Sequence, residues 1–418
     1  MNIAQISEKI KLQGREYLYR CEIIHISEAI DVISFLQAQV SFPKMYFREK
    51  KSDFVRAALG SALSFHEVPE LSEDLPPTLR FFGGMSFTKS VSEDNLWNEF
   101  PPCYFFLPQI EVFQDLDHCI IYRHHIDAAD SIDIDLAISA SVTSIPKFVQ
   151  RKNFPEKEDF CRRVFLAQET MKTTPLSKVV LARRSDFQFC ENLEPYSLLK
   201  NLPVENVTNF LLQFSRSSAF IGATPEKLYS RVENVFETEA LAATRSRGSS
   251  LEEDIFLQNE LFSHEKDLDE FHKVADFLGK TCKTLCKSAT DSSLQIYKTT
   301  YMQHLYKTFS GVLKDKITDR DIVTLLHPTP ALGGMPKEEA LPFLEKNEDV
   351  SRGWYGSPLG WVSPKEAFFS VAIRSALVSQ NGLSLYSGVG IVPKTKAEDE
   401  WEELETKISP FTRIFYED

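Results

Sequence analysis

Acidic residues three positions apart mark the last predicted helix, over about 396–408, as a candidate cation site. Glu400, Glu403 and Lys407 share one face of this helix, because side chains three or four positions apart lie above one another. One or two carboxylates are what Mg²⁺ takes from a protein, with water and substrate oxygens as its other ligands. The lysine could then bind an anionic substrate. The competing interpretation is a solvated charged face with a Glu403–Lys407 ion pair.

A second predicted helix, over about 255–285, offers the complementary pair of carboxylates. Asp267 and Glu270 flank its apolar stripe at the same three-residue spacing. Two helices that each supply a glutamate would suit a Mg²⁺ ion held partly by water and substrate. Because Asp and Glu are abundant in this chain, a solvent-exposed charged face is the alternative here as well.

Two isolated cations lie at the ends of apolar runs. Lys178 opens the run Lys-Val-Val-Leu-Ala-Arg. Such a lysine either extends to water or, if it is buried, is a candidate general base, because desolvation favours the neutral amine. Arg374 ends the run Phe-Phe-Ser-Val-Ala-Ile-Arg. A buried arginine requires an anion, which is either a structural partner or a substrate.

Two short segments complete the candidates. Thr224-Pro-Glu226 is either the start of a helix, with threonine as N-cap and proline at N1, or a turn that presents a carboxylic acid. Gly388-Val-Gly390 lets backbone N–H groups approach an anion closely, but a pair of glycines is weak support by itself.

The composition of the 418 residues is that of an ordinary globular protein and excludes several classes. Its 60 acidic residues outnumber the 47 basic ones, for a net charge of −13, so no nucleic-acid partner is expected. Seven scattered cysteines without a C-x-x-C pair indicate neither a disulfide framework nor a zinc ribbon. Neither a signal-peptide core nor an uninterrupted apolar stretch of ~20 residues is found. We therefore predict a cytoplasmic protein with no membrane partner.

The pattern of apolar runs predicts an α+β fold. Strands are predicted at 80–87, 103–107, 119–122, 178–183, 208–214, 218–222, 228–231, 235–239, 358–363, 367–378 and 383–391. Helices are predicted at 156–172, 255–285, 298–313 and 396–408. Because regular β-α-β alternation is lacking, a doubly wound sheet is not favoured. A polar, proline-marked stretch suggests a division into residues 1–150 and 151–418.

Eight motifs in a fixed order resemble the chorismate-utilising enzymes, and most closely the isochorismate synthases among them. The motifs are Lys178-Val-Val-Leu-Ala-Arg, Gly222-Ala-Thr-Pro-Glu226, Glu239-Ala-Leu-Ala-Ala-Thr-Arg245, His327-Pro-Thr-Pro-Ala-Leu-Gly-Gly334, Arg352-Gly-Trp-Tyr-Gly-Ser-Pro-Leu-Gly-Trp361, Ala372-Ile-Arg374, Gly388-Val-Gly-Ile-Val392 and Glu400-Trp-x-Glu403-x-x-x-Lys407. The resemblance is strong over roughly 156–415, whereas the first 150 residues match only in outline.

The resemblance implies two large antiparallel β-sheets packed face to face with helices on the outside, built as one intertwined domain in which 1–150 is the divergent part and 151–418 the catalytic part. It also implies the Mg²⁺-dependent conversion of chorismate to isochorismate. Lys178 would be the general base that activates water for attack at C2. Glu226 would be the general acid that protonates the departing C4 hydroxyl.

The other roles are likewise implied by the resemblance. Glu270 and Glu403 would hold Mg²⁺, while Asp267 and Glu400 would reach the waters of the ion. The implied substrate-binding residues are Thr244, His304, Ala331, Arg374, Gly388 and Lys407.

Three positions distinguish among family members. Lys178 is the lysine expected where water is the nucleophile. Ala242 stands where aminodeoxychorismate synthases carry a nucleophilic lysine, and Ala331 resembles isochorismate synthases, where salicylate and anthranilate synthases tend to have a hydroxyl residue. No amidotransferase subunit is expected, and the predicted state is a monomer or weak dimer. The sequence leaves open whether the product enters menaquinone, siderophore or salicylate synthesis.

Two other functions stay open at this point. One is a salicylate synthase, which continues from isochorismate by eliminating pyruvate. The other is a non-catalytic chorismate-binding protein, because Ala243 replaces a usual glycine and segments 355–360 and 364–365 depart from the family pattern.

Overall fold

The computed structural model describes residues 3–88, 95–127, 132–134 and 144–416. The helices within these ranges are α1 (Val32–Ala38), α2 (Lys157–Thr173), α3 (Pro195–Asn201), α4 (Leu251–Ser263), α5 (Glu265–Leu285), α6 (Asp319–Leu326), α7 (Lys337–Asn347) and α8 (Ala397–Tyr416), with a 3-10 turn at Asn95–Trp97. Among the described residues, no helix is both long enough and apolar enough to cross a membrane.

Most of the described chain that is not helical forms strands. They are β1 (Ile3–Leu12), β2 (Arg15–Ile26), β3 (Lys44–Arg48), β4 (Val55–Leu59), β5 (Leu63–Phe65), β6 (Phe81–Met85), β7 (Cys103–Leu107), β8 (Ile110–Gln114), β9 (Cys119–Ile126), β10 (Phe148–Phe154), β11 (Lys178–Phe189), β12 (Thr208–Gln213), β13 (Ser218–Thr224), β14 (Lys227–Val232), β15 (Val235–Ser246), β16 (Cys286–Asp291), β17 (Gln295–Lys298), β18 (Met302–Leu313), β19 (Gly334–Met335), β20 (Pro358–Val362), β21 (Glu366–Val371), β22 (Ser375–Ser379) and β23 (Gly382–Ile391).

These strands form two sheets with antiparallel neighbours. The 13-stranded sheet has the order β1-β2-β9-β8-β4-β3-β12-β13-β22-β23-β11-β10, with β19 beside β11. The 10-stranded sheet has the order β16-β18-β15-β14-β21-β20-β6-β7-β5, with β17 beside β18. Two large antiparallel sheets accompanied by helices are the architecture that the sequence predicted, and the α+β prediction is confirmed.

The two sheets bury aromatic side chains between them. Phe47 of β3 and Phe368 of β21 belong to different sheets, and their ring centroids lie 5.9 Å apart in an edge-to-face arrangement. Phe210 and Phe220 of the larger sheet share one buried cluster with Phe106 of the smaller sheet. Burial of such large apolar surfaces is the main force that holds two sheets together, so the packing is face to face.

Strands from the first 150 residues enter both sheets. In the larger sheet β3 pairs with β12, and in the smaller sheet β6 pairs with β20. The division into residues 1–150 and 151–418 stays a prediction.

The prediction of a helix over 298–313 is wrong. Residues Met302–Leu313 form β18, which pairs along almost its whole length with β15. The segment contains aromatic and β-branched residues that suit a strand, and pairing with a long neighbouring strand outweighs the local helical pattern. This difference matters for the site, because it puts His304 directly opposite Thr244 in the register.

Several other predicted elements differ in their bounds; the strands predicted at 119–122, 178–183 and 235–239, for example, continue to Ile126, Phe189 and Ser246. The helix predicted over 255–285 is two helices, α4 and α5, because the backbone of His264 is extended, with φ −79° and ψ 113°. The strand predicted over 367–378 is interrupted between β21 and β22. The last helix continues beyond 408 to Tyr416, past Pro410.

Candidate active site

One cavity collects most of the residues that the sequence singled out. Nine of them line it: Glu226, Thr244, Glu270, His304, Ala331, Arg374, Gly388, Glu403 and Lys407. They come from strands of both sheets, from α5 and α8, and from three connections. Lys178, Asp267 and Glu400 lie outside this lining. The fold therefore brings together residues that are far apart in the chain, which is what a site built from ordered motifs requires.

Glu226 is held in the tight connection between β13 and β14, so the interpretation as a helix start is wrong. Its backbone N–H donates to the Thr224 hydroxyl at 3.2 Å, and its carbonyl accepts from the Val371 N–H at 3.0 Å. Its side chain is buried, and burial together with the nearby Glu239 carboxylate raises the pKa of Glu226 to about 8. At neutral pH this group is a carboxylic acid that can donate a proton.

Lys178 is fully buried at the first position of β11, so the alternative in which it extends to water is wrong. Its Nζ donates to Oε1 of Glu270 at 2.8 Å. The pair is seated against Gly390, where an added Cβ would come within 2.7 Å of the Glu270 oxygen and 2.8 Å of the Lys178 Cε. A side chain at position 390 would therefore displace the pair, which gives the second glycine of Gly388-Val-Gly390 a steric purpose.

The four predicted metal-site carboxylates each contact a basic side chain. Glu270 contacts Lys178, Glu403 contacts Lys407 at 2.8 Å, Glu400 pairs with Lys266, and Asp267 pairs with Arg245 and, at 3.0 Å, with His264. The i,i+4 pair of Glu403 and Lys407 that the sequence offered as an alternative is thus present, yet both residues face the cavity rather than a solvated surface.

The carboxylates of α5 and α8 also influence one another. Burial, and next the negative charge of Glu403 and that of Glu270, raise the pKa of Glu400 to about 7. The pKa of Glu400 is raised although Lys266 lies beside it, so the lysines only partly offset the negative charge of this cluster, which favours binding of a further cation. Among the described residues, no three His, Cys, Asp or Glu side chains form a metal-binding group. Mg²⁺ needs only one or two protein carboxylates, so Glu270 and Glu403, which line the same cavity, fit it.

Arg374 enters the cavity from the connection between β21 and β22. Its backbone has a φ of 50°, a left-handed conformation that costs a non-glycine residue about 1–2 kcal/mol. Its guanidinium is buried, which lowers its pKa to about 10, and it donates to the Lys407 carbonyl at 3.2 Å. Within the described part of the chain, no carboxylate forms an ion pair with it. A buried guanidinium that has no carboxylate partner among the described residues is suited to binding an anionic ligand.

His304 is neutral in this site. Burial lowers its pKa to about 3. Its Nδ1 lies 3.2 Å from both the Ala243 carbonyl and the Thr244 hydroxyl, which assigns the ring proton to Nδ1 and leaves Nε2 as an acceptor. Nε2 is buried without a hydrogen-bond partner among the described residues. It is therefore free to accept a hydrogen bond from a ligand hydroxyl.

The unusual alanine in the β15 motif has a conformation that favours glycine. Ala243 has a φ of 57°, and the pairing of β15 with β18 shifts register between Ala242 and Thr244. The bulge turns this stretch of backbone into the wall of the cavity. The departure from the family pattern therefore lies at a position of real backbone strain.

Eight cavity residues were not predicted as site residues: Leu241, Ala242, Ala243, Leu332, Tyr355, Ile373, Tyr386 and Ser387. The Ser387 hydroxyl is buried without a partner in the described residues. Tyr355 lies in the Arg352–Trp361 motif, so the motif itself was the available signal. Leu241 lies two positions before Ala243 in its motif. Ser387 carried no signal apart from being next to Gly388.

Comparison with known proteins identifies related sequences and a related fold. The family described as chorismate binding enzyme matches residues 70–416. The chain is 33% identical to isochorismate synthase, chloroplastic, of Catharanthus roseus over 81% of this chain and 62% of that protein, so it spans less than two thirds of that relative's length. It is 31% identical to isochorismate synthase 2, chloroplastic, of Arabidopsis thaliana over 93% of this chain and 79% of that protein.

A solved structure is similar over almost the whole fold. It is MenF, the menaquinone-specific isochorismate synthase of Escherichia coli, with a TM-score of 0.81, a sequence identity of 23% and coverage of 94% of each chain. This likeness supports the two-sheet architecture described above.

Proposed function

The chain belongs to the chorismate-binding enzyme family, and from this premise we propose that it is an isochorismate synthase. The reaction moves a hydroxyl group: water adds at C2 of chorismate while the C4 hydroxyl leaves as water. The observation that carries the proposal is the Glu226 carboxyl, which is buried in the cavity with a pKa raised to about 8. An acid that still holds its proton at neutral pH is what a departing hydroxyl group requires.

Lys178 is proposed as the base on the other side of the reaction. In its neutral form it accepts the proton of the attacking water, while Glu226 gives its own proton to the leaving hydroxyl. Lys178 is one hydrogen bond away from the cavity, through Glu270, so it acts once that bond has been exchanged for a bond to water. The two protons balance, and the same pair in the opposite protonation states performs the reverse reaction.

The cations of the cavity are proposed to bind the two carboxylates of chorismate. Arg374 has no ion-pair partner in the described residues, and Lys407 lies beside it with its Nζ 2.8 Å from Glu403. The Lys407 amine also donates to the Gly388 carbonyl at 2.7 Å, which fixes its position. The neutral His304 would accept a hydrogen bond from a substrate hydroxyl, and Thr244 would border the ring.

Mg²⁺ is proposed as the cofactor, held by Glu270 and Glu403, with Glu400 and Asp267 near its waters. The ion would offset the negative charge of a substrate carboxylate in an acidic protein. The present partners of Glu270 and Glu403 are Lys178 and Lys407. The ion would supply a further counter-charge to these carboxylates, while Lys178 keeps the proposed role of base and Lys407 that of a substrate-binding cation.

We expect Glu403→Gln to raise the Mg²⁺ concentration for half-maximal rate by about 100-fold or more, since loss of an outer-shell partner alone costs about 10–100-fold. The measurement is a Mg²⁺ titration of initial rate. Glu402→Gln is the matched control, because Glu402 is the preceding residue of α8 and is exposed. If the titration of Glu403→Gln coincides with that of the unmodified protein, Glu403 is not a ligand.

Product analysis tests the proposed function directly. Purified protein is incubated with chorismate, with and without Mg²⁺, and the products are separated by HPLC. A Mg²⁺-dependent mixture of chorismate and isochorismate is the expected result. Salicylate together with pyruvate would move the assignment to a salicylate synthase. Unchanged chorismate with measurable binding would make the protein a chorismate-binding protein that has lost catalysis.

The cellular context is proposed from the names of related proteins. The solved E. coli relative is called menaquinone-specific, so menaquinone synthesis is the first destination to test for the product, ahead of siderophore or salicylate synthesis. We propose a cytoplasmic enzyme that acts without an amidotransferase subunit, as a monomer or weak dimer. Both plant relatives are named chloroplastic, so fractionation of the source cells decides the location.

A further inference from the structure

A buried ion pair lies directly behind the proposed acid. Lys50, two residues after the end of β3, pairs with Glu239 of β15. Their side chains are only 5% and 1% exposed. Lys50 also lies before residue 70, where the family match begins. Two desolvated charges are costly to bury and must be matched closely.

The pair holds the backbone on both sides of Glu226. The Lys50 Nζ donates to the Pro225 carbonyl at 2.7 Å. The Glu239 Oε1 accepts from the Lys227 N–H at 2.8 Å. The residues before and after Glu226 are thus tied to the two ends of one ion pair. The second Glu239 oxygen accepts from the Tyr306 hydroxyl at 3.1 Å, so this carboxylate has partners for both oxygens.

The pair also sets much of the charge that the Glu226 carboxyl experiences. The negative charge of Glu239 raises the pKa of Glu226, whereas the positive charge of Lys50 lowers it. The other charged or titratable groups facing this carboxyl are Lys178 of β11 and Arg374, which also lower the pKa, together with the Tyr355 hydroxyl. Glu239 is therefore the acidic group that opposes three cations around the acid.

We propose that Lys50 and Glu239 are positioning residues for the acid: they fix the Glu226 carboxyl in the cavity and balance the cations around it so that it keeps its proton. This inference rests on the proposed function, because it assigns Glu226 the role of proton donor. It also gives the segment before residue 70 a part in the site, although its side chains do not line the cavity.

The proposal is tested by removing the negative charge of Glu239 and the positive charge of Lys50 in separate variants. The acid works while protonated, so kcat falls as pH rises through its pKa. Glu239→Gln removes the opposing negative charge, and we expect the fall in kcat to move to lower pH by about 1–3 units. Lys50→Gln removes a cation, and we expect the fall to move to higher pH. The double variant Lys50→Gln/Glu239→Gln should return it close to the original pH.

A matched control comes from the same strand. Glu237 lies two residues before Glu239 and also pairs with a lysine, Lys227, but its side chain is 46% exposed. Glu237→Gln should leave the fall in kcat where it is. A general loosening of the site would lower kcat in both single variants without moving their pH profiles in opposite directions. Shifts of the same sign, or none, would overturn the proposal.

A second measurement separates this inference from the proposed function. Titration of the Glu226 carboxyl by ¹³C NMR of glutamate-labelled protein, assigned by difference against Glu226→Gln, needs no turnover. In that titration we expect Glu239→Gln to lower the pKa of the Glu226 carboxyl and Lys50→Gln to raise it. If the protein makes no isochorismate but the carboxyl shifts as expected, the proposed function fails while the influence of the pair stands. If the pKa of the Glu226 carboxyl does not shift in these variants, the pair has no such influence.

Discussion

Lys178→Ala is expected to lower kcat by about 10²–10⁴-fold, the usual contribution of a general acid or base, while chorismate still binds. The effect on kcat differs from the effect on binding for a geometric reason. The lysine is fully buried and bonded to Glu270, outside the cavity lining, whereas Arg374 and Lys407, the proposed carboxylate-binding cations, stay in place. Rates of isochorismate formation and calorimetric titration with chorismate measure the two effects separately.

The control for Lys178 is another buried lysine. Lys44 is 3% exposed and donates to the Leu36 and Gln39 carbonyls at 2.7 and 2.6 Å, in a part of the larger sheet that does not line the cavity. Lys44→Met tests what the loss of a buried lysine does to stability alone, and kcat should hardly change. If Lys178→Ala retained most of its kcat, the lysine would have no role as the base.

Glu226→Gln is expected to have a similar effect on kcat, again about 10²–10⁴-fold, with a change in pH profile that identifies the cause. The amide has almost the same shape as the carboxyl but has no acidic proton to give to the leaving hydroxyl. In the unmodified protein the pKa of Glu226 is raised to about 8. The acid is protonated below that pH and ionised above it, so kcat should fall as pH rises through about 8.

The pH profile of the variants decides the second prediction. The residual rate of Glu226→Gln should show no fall near pH 8, because the group that titrates there has been removed. Glu226→Asp keeps an acidic group but shortens the side chain by one methylene. Part of the rate should therefore return, and so should the fall in kcat at alkaline pH. A fall near pH 8 that persisted in Glu226→Gln would mean that another group donates the proton.

The residue types and the order of the motifs selected residues that the fold brings together, while the roles of these residues stay predictions. Chemistry limits which side chains can act as acid, base, cation or metal ligand, so the isolated Lys178 and Arg374 could be selected before any fold was known. Nine of the predicted residues line one cavity. The strand pattern gave the α+β class for a similar reason, because alternation and turn residues are local properties of the chain.

Local patterns were insufficient where a distant partner decided the outcome. Residues 302–313 have a helical alternative, and only pairing with β15 makes them a strand. The same pairing puts His304 beside the bulge at Ala243, where the backbone has a φ of 57°. A sequence read in short windows contains neither the partner strand nor its register.

The tertiary structure alone decided how each charged residue behaves. Lys50 and Glu239 are 189 positions apart, yet together they hold the two residues that flank Glu226. Arg374 lacks a carboxylate partner among the described residues, while Glu270 and Glu403 each have a lysine beside them. Burial and the charges within a few ångströms set the pKa of a group, and both depend on which distant segments the fold brings together. Sequence therefore names the candidate acid, whereas its surroundings determine whether it holds a proton.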